Sequence, residues 1–187
     1  MELLKAIYGR RAVRSYGKAA VGRDKIERVI DAAVHAPSAM NQQLWTFAII
    51  QGAERMTNVA GAAKRHLLAT MEAGSALAKY RDMLMDPGFS IFYGAPCLIV
   101  VCATSRDPQA REDCCLAAQN LMLAAHGEGL GTCWIGFARP WLDLVESRRM
   151  LGIPSDWVAV APIVIGVPVE APAPTPRRTS TVVWCDE

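Results

Sequence analysis

The chain lacks any apolar run of the ~20 residues needed to cross a bilayer. Its longest, residues 95–103 and 158–169, fall short, and the second is interrupted by Pro162 and Pro168. Net charge is small, +2 over 187 residues, and basic residues do not interleave with aromatics, so no nucleic-acid surface is expected. There is no C-x-x-C pair. The cysteines are scattered as Cys97, Cys102, Cys114, Cys115, Cys133 and Cys185, and His35, His66 and His126 do not pair at ligand spacing. Neither a metal site nor a disulfide framework follows from that pattern. The first ten residues hold Glu2, Lys5 and Arg10 with no long apolar core, so no secretory signal is expected. Free thiols inside apolar runs then point to a reducing cytoplasm.

What the chain has in excess is apolar surface. The apolar share is 52%; counting glycine and omitting tyrosine raises it to roughly 57%, against about 45–50% for ordinary globular chains. One domain of this length buries a sizeable core. With no membrane span to take up the surplus, a subunit interface is expected, most simply a symmetric dimer.

Periodicity supplies the elements. Leu3, Leu4 and Ile7 share a helical face that ends near Gly9. Asp24 is the expected N-cap of a second helix through Ile26, Val29, Ile30, Ala33 and Val34. A strand is expected over 45–51, helix over most of 53–86, and a buried strand from 95 to 102. Residues 109–128 read as a helix with almost no polar face in its middle, hence buried on every side at a subunit seam. A strand near 132–136, a helix near 140–150 and a strand near 158–167 complete an α+β pattern. Pro168, Pro172, Pro174 and Pro176 then hold the tail extended. Residues 181–184, Thr-Val-Val-Trp, read as a terminal strand able to add to a partner's sheet edge.

Four blocks carry chemistry. Residues 36–45, Ala-Pro-Ser-Ala-Met-Asn-Gln-Gln-Leu-Trp, set hydroxyl and amide groups beside an indole where a helix gives way to a strand. Such a loop suits a flat heteroaromatic ligand, and it is equally an ordinary turn. Residues 9–16, Gly-Arg-Arg-Ala-Val-Arg-Ser-Tyr, place three arginines within five residues, and Arg177 and Arg178 stand in the tail. Guanidinium groups of this density serve an anion, or lie solvated beside a helix end. Residues 127–136, Gly-Glu-Gly-Leu-Gly-Thr-Cys-Trp-Ile-Gly, combine a helix C-cap with a core strand. They fail as a dinucleotide fingerprint, because no strand precedes the glycines and no helix opens directly after them.

In this order the four blocks resemble the nitroreductase family of FMN-dependent oxidoreductases, over nearly the whole chain apart from residues 52–93. The resemblance implies an α+β, nitroreductase-like fold: a central, mostly antiparallel sheet flanked by helices, in an intertwined homodimer that exchanges C-terminal arms. Residues 1–170 would form the FMN-binding domain and 171–187 the crossing arm. By resemblance Arg10, Arg11, Ala12 and Arg14 hold FMN, with Arg177 or Arg178 closing on its phosphate. Pro37, Ser38, Ala39, Asn41 and Gln43 would cover the ring bound mainly by the other protomer. Cys133, Trp134, Ile135 and Gly136 would run beneath it, a backbone N–H meeting flavin N5. Ala12 stands where the family has serine, and Leu44 where it commonly has proline.

No side-chain nucleophile or base is implied. NAD(P)H would deliver hydride through flavin N5 in a ping-pong cycle to a nitroaromatic, quinone or similar small-molecule acceptor, with Arg14 at the N1–C2=O edge. Dehalogenation, flavin cleavage or non-redox flavin binding are the alternatives. Tyr80, Phe89, Phe92 and Tyr93 are read either as a cover over the acceptor or as core.

Overall fold

Apolar runs long enough for a strand but too short for a helix build the centre of the molecule. The computed structural model describes residues 2–185. Strands β1 (Trp45–Gln51), β2 (Cys97–Ala103), β3 (Gly131–Trp134) and β4 (Val158–Gly166) form one sheet in the order β1-β2-β4-β3. Every pairing between them is antiparallel. Around it lie α1 (Leu3–Gly9), α2 (Arg23–Val34), α3 (Ala53–Thr70), α4 (Arg81–Met85), α5 (Pro108–Gly127), α6 (Arg139–Leu142) and α7 (Val145–Leu151).

The inner strands β2 and β4 are buried along their whole length, which is why they read as continuous apolar runs. The two-residue alternation survives in the side each residue faces. Cys97, Ile99, Val101 and Ala103 join the core shared with α2 and α5, whereas Leu98, Val100 and Cys102 join the core shared with α3 and α6. A bulge between Val101 and Cys102 moves the register from Ala161 to Ala159, so Val160 is the extra residue. Burial pushes the Cys97, Cys102 and Cys114 thiols up to about 12, so they stay protonated core groups.

Several expected elements are corrected. Asp24 does not cap α2: Gly22 holds that position and accepts from the Lys25 and Ile26 amides, while Asp24 lies inside the first turn and pairs with Arg28 at 3.1 Å. Within one chain helix α5 keeps an exposed stripe, the side that the expected subunit seam would cover. Ala110, Asp113, Cys114, Ala117, Ala118, Leu121, Met122 and Ala125 face the sheet and α2, but Cys115 and Gln119 are exposed and Leu116 is 46% exposed. Composition alone hid that stripe, because its Cys115 and Leu116 are as apolar as the buried Cys114 and Leu121. Helix over 53–86 stops at Thr70, resuming as a short 3₁₀ turn and α4. The helix expected near 140–150 breaks at Asp143 and Leu144 into α6 and α7. Residues 181–185 form no strand within the chain, and Val182, Val183 and Trp184 stand exposed. Among the described residues no helix is long and apolar enough to cross a membrane.

The break between α6 and α7 is held by a buried cation. Arg148 donates to the Leu142 carbonyl at 3.0 Å, the Asp143 carbonyl at 2.8 Å and the Ser155 carbonyl at 3.3 Å. Truncation in Arg148→Ala strands those acceptors and is expected to cost about 2 kcal/mol. That predicts a Tm lower by about 4–8 °C for a chain of this size. An unchanged melting curve would show that the three carbonyls rehydrate freely.

Candidate functional site

Residues 10–17 leave α1 extended and lie along the open side of β3. Ala12 pairs in parallel with Thr132, and the Val13 amide donates to the Thr132 carbonyl at 2.9 Å. Farther on, Tyr16 bridges to Pro168, and its hydroxyl donates back to the Val13 carbonyl at 2.8 Å. The segment therefore acts as an irregular fifth strand, anchored by Val13 and Tyr16 in the core. Between these two anchors Arg14 and Ser15 are exposed.

Arg14 lines a cavity of about 520 Å³ whose floor is Cys133, Trp134, Ile135 and Gly136. Its walls are Leu77, Tyr80, Met83, Phe89, Tyr93 and Phe137. Tyr80 meets Phe137 edge-on at 5.6 Å, and Phe89 meets Tyr93 edge-on at 5.7 Å. Three of the four singled-out aromatics thus face the cavity, while Phe92 belongs to the core. A slot lined this way, with one cation at its edge, accepts a flat aromatic body with a polar rim. Burial raises the Cys133 thiol, and Arg14 and Arg10 oppose that rise.

Arg10 and Arg11 lie on the other side of the segment, in a second cavity of about 350 Å³ shared with His126 and Gly129. The Arg10 guanidinium is held below its ordinary value by burial, then by Arg177 and by Arg11. The charge of Arg177 is thus felt at Arg10, while the Arg177 guanidinium itself donates to the Thr175 and Pro176 carbonyls of the tail. Arg11 donates to the Tyr8 carbonyl at 2.6 Å and the Arg10 carbonyl at 2.9 Å, but its Nε is buried without a partner. Among the described residues, none of Arg10, Arg11, Arg14 and Arg177 forms an ion pair. Three mutually repelling cations with no carboxylate form a donor set for an anion.

The loop over residues 37–43 is built for presentation but does not meet either cavity within the chain. Met40, Asn41 and Gln43 have φ of 49°, 55° and 53°, a left-handed geometry that non-glycine residues seldom adopt. Ser38 Oγ accepts from the Gln43 amide at 3.1 Å, and the Gln43 side-chain amide donates to Asn41 Oδ1 at 2.9 Å. Asp113 on α5 fixes the loop, its carboxylate accepting from the Ala39 amide at 3.1 and 3.2 Å. Sequence reasoning passed over Asp113, whose only signal is one carboxylate directly before an apolar helical run; Leu77, Met83 and Phe137 were also passed over and gave none. Asp113→Ala is expected to cost about 1–2 kcal/mol by orphaning that amide. Hydrogen exchange should then quicken at residues 38–43 and not in β2.

Comparison with known proteins bears on the family and the fold. The profile of the nitroreductase family matches residues 7–167. A candidate NADH dehydrogenase/NAD(P)H nitroreductase of Methanothermobacter thermautotrophicus is 31% identical over 92% of this chain and 80% of its own length. The crystal structure of a nitroreductase with bound FMN from Desulfitobacterium hafniense superposes with a TM-score of 0.83 at 25% identity, covering 98% of this chain and 97% of that one. A more distant relative bears another reaction's name: the iodotyrosine deiodinase of Thermotoga neapolitana, 25% identical over 93% of this chain and 92% of its own. With its all-antiparallel four-stranded sheet, the arginine-bearing segment beside β3 and the aromatic slot, the chain belongs to the nitroreductase family.

Proposed function

We propose that this protein is an FMN-dependent NAD(P)H oxidoreductase acting on electron-poor small molecules such as nitroaromatics or quinones. One observation carries the reading: a single extended segment holds an anion-ready cluster, Arg10 and Arg11 with Arg177, and farther along holds Arg14 at the edge of an aromatic-lined slot. That matches a ligand with an anionic end and a flat end. The donor set fits FMN: unpaired guanidinium groups for the phosphate, an orphaned Arg11 Nε, and a slot for the ring.

FMN, once bound, supplies two-electron transfer between NAD(P)H and the acceptor. The chain's residues do the rest. Arg10, Arg11 and Arg177 hold the phosphate, and Ala12 contributes only main chain where the family has a serine hydroxyl. Cys133, Trp134, Ile135 and Gly136 support the ring, and Arg14 favours negative charge at its pyrimidine edge. Pro37, Ser38, Ala39, Asn41 and Gln43 cover the ring of the partner subunit's site, which explains a rigid, exposed loop that touches neither cavity in its own chain. A homodimer also accounts for exposed Leu3, Leu4, Ile7 and Tyr8 of α1, Leu116 of α5, and the arm with Val182, Val183 and Trp184. Six free thiols suit the cytoplasm.

Dehalogenation of an amino-acid substrate fits the site less well. Among the described residues Arg14 is the only charged one lining the larger cavity, so they place no carboxylate there to hold an ammonium group. The purified protein should be yellow and should bleach anaerobically with NADH or NADPH, recovering its colour on adding a quinone. Colourless protein that takes up no FMN would overturn the proposal. Yellow protein inert to both nicotinamides would move it to another flavin reaction.

A further inference from the structure

We infer that Tyr93 is a positioning residue for Arg14: its phenol, held in the larger cavity by a left-handed backbone turn, fixes the guanidinium at the pyrimidine edge of the ring. This rests on the FMN reading above and adds a residue to it. Tyr93 has φ 54° and is followed by Gly94 at φ 74°. For an aromatic residue that geometry is strained and persists only where the surroundings impose it. They do so here. Ile91 and Phe92 are buried, the Tyr93 amide donates to the Ser90 carbonyl at 3.0 Å, and the Ala95 amide to the Phe92 carbonyl at 2.9 Å.

The ring is clamped as well as the backbone, since Phe89 stacks edge-on against it. Tyr93 and Arg14 line the same cavity, and Arg14 opposes the rise that burial imposes on the phenol. Arg14 forms no ion pair with a described residue and is largely exposed, so the fold leaves its guanidinium to be oriented from within the cavity. Tyr16 shows the contrast: its hydroxyl is spent on the Val13 carbonyl and serves the fold. The Tyr93 hydroxyl bonds no main-chain group among the described residues, so folding gains nothing from it. A strained residue whose polar atom is idle in the fold is one kept for the site.

A guanidinium held at that edge favours reduced, anionic FMN over oxidised FMN. Tyr93→Phe keeps the ring and the stack, so its melting temperature should match wild type. Titrating apoprotein with oxidised and reduced FMN should show the preference for reduced FMN falling about tenfold, read independently as a midpoint potential lower by about 30 mV for a two-electron couple. Arg14→Ala should lower that preference by at least as much, and Tyr93→Phe combined with Arg14→Ala no further than Arg14→Ala alone. Wild-type preference in Tyr93→Phe, or additive losses in the double variant, would overturn the inference while leaving FMN binding untouched. Wild-type apoprotein that takes up no FMN would instead overturn the reading beneath it.

Discussion

Arg10→Ala is expected to weaken FMN binding about ten- to a hundredfold without destabilising the apoprotein. The size follows from losing charge-assisted hydrogen bonds to a phosphate, about 1.5–3 kcal/mol, with 1.4 kcal/mol per factor of ten. The sparing of the fold follows from electrostatics. Arg10 is half-buried and depressed by burial and by two neighbouring arginines, so without an anion its charge is a cost to the chain. Removing it should leave the apoprotein Tm unchanged or slightly raised. Riboflavin gives the control: it has the ring but no phosphate, so its affinity should be the same in Arg10→Ala and wild type. An equal loss for FMN and riboflavin would mean that Arg10 shapes the slot instead of gripping the phosphate.

The sheet was legible because its strands are short, apolar and bounded by turn residues; β1 spans the expected residues and β4 falls within one of them. Helix ends were less so. Asp24 has the chemistry of a cap, yet Gly22 two residues earlier already satisfies the Lys25 and Ile26 amides. The exposed stripe of α5 was invisible for a related reason: Leu116 and Leu121 look alike in sequence, and only packing separates them. At the site, Arg10, Arg14 and residues 133–136 were identified in sequence and all lie along the β3 edge, Arg10 on a different cavity from Arg14. Arg177 could not be separated from Arg178, because extended chain has no period to fix its register. Tyr93 looked like core or cover, since neither its positive φ nor the cavity it shares with Arg14 leaves a local sequence signal.

The closest approach in the site belongs to Gly131, and it links the fold to the ligand. A Cβ there would stand 2.5 Å from Val13 Cγ2, 2.8 Å from Val13 Cβ and 3.0 Å from Pro168 Cγ. Val13 is buried and β-branched, so it has no free rotamer to yield into. The extended segment itself must then lift off β3, loosening the Ala12–Thr132 pairing and carrying Arg10 and Arg14 with it. Gly131→Ala is therefore expected to cost about 3 kcal/mol, the upper end for overpacking. Tm should fall by about 6–12 °C, and FMN affinity should fall too although no ligand-facing group has changed. Gly127→Ala is the matched control, because a Cβ there meets nothing within 4 Å and its Tm should hold. Adding Val13→Gly to Gly131→Ala removes both the Cγ2 and the Cβ contacts and should return FMN affinity towards wild type, even though lost burial keeps Tm low. If Gly131→Ala binds FMN normally, the segment's seat on β3 does not set the arginines' positions. If Val13→Gly fails to rescue it, the damage lies elsewhere than in that contact.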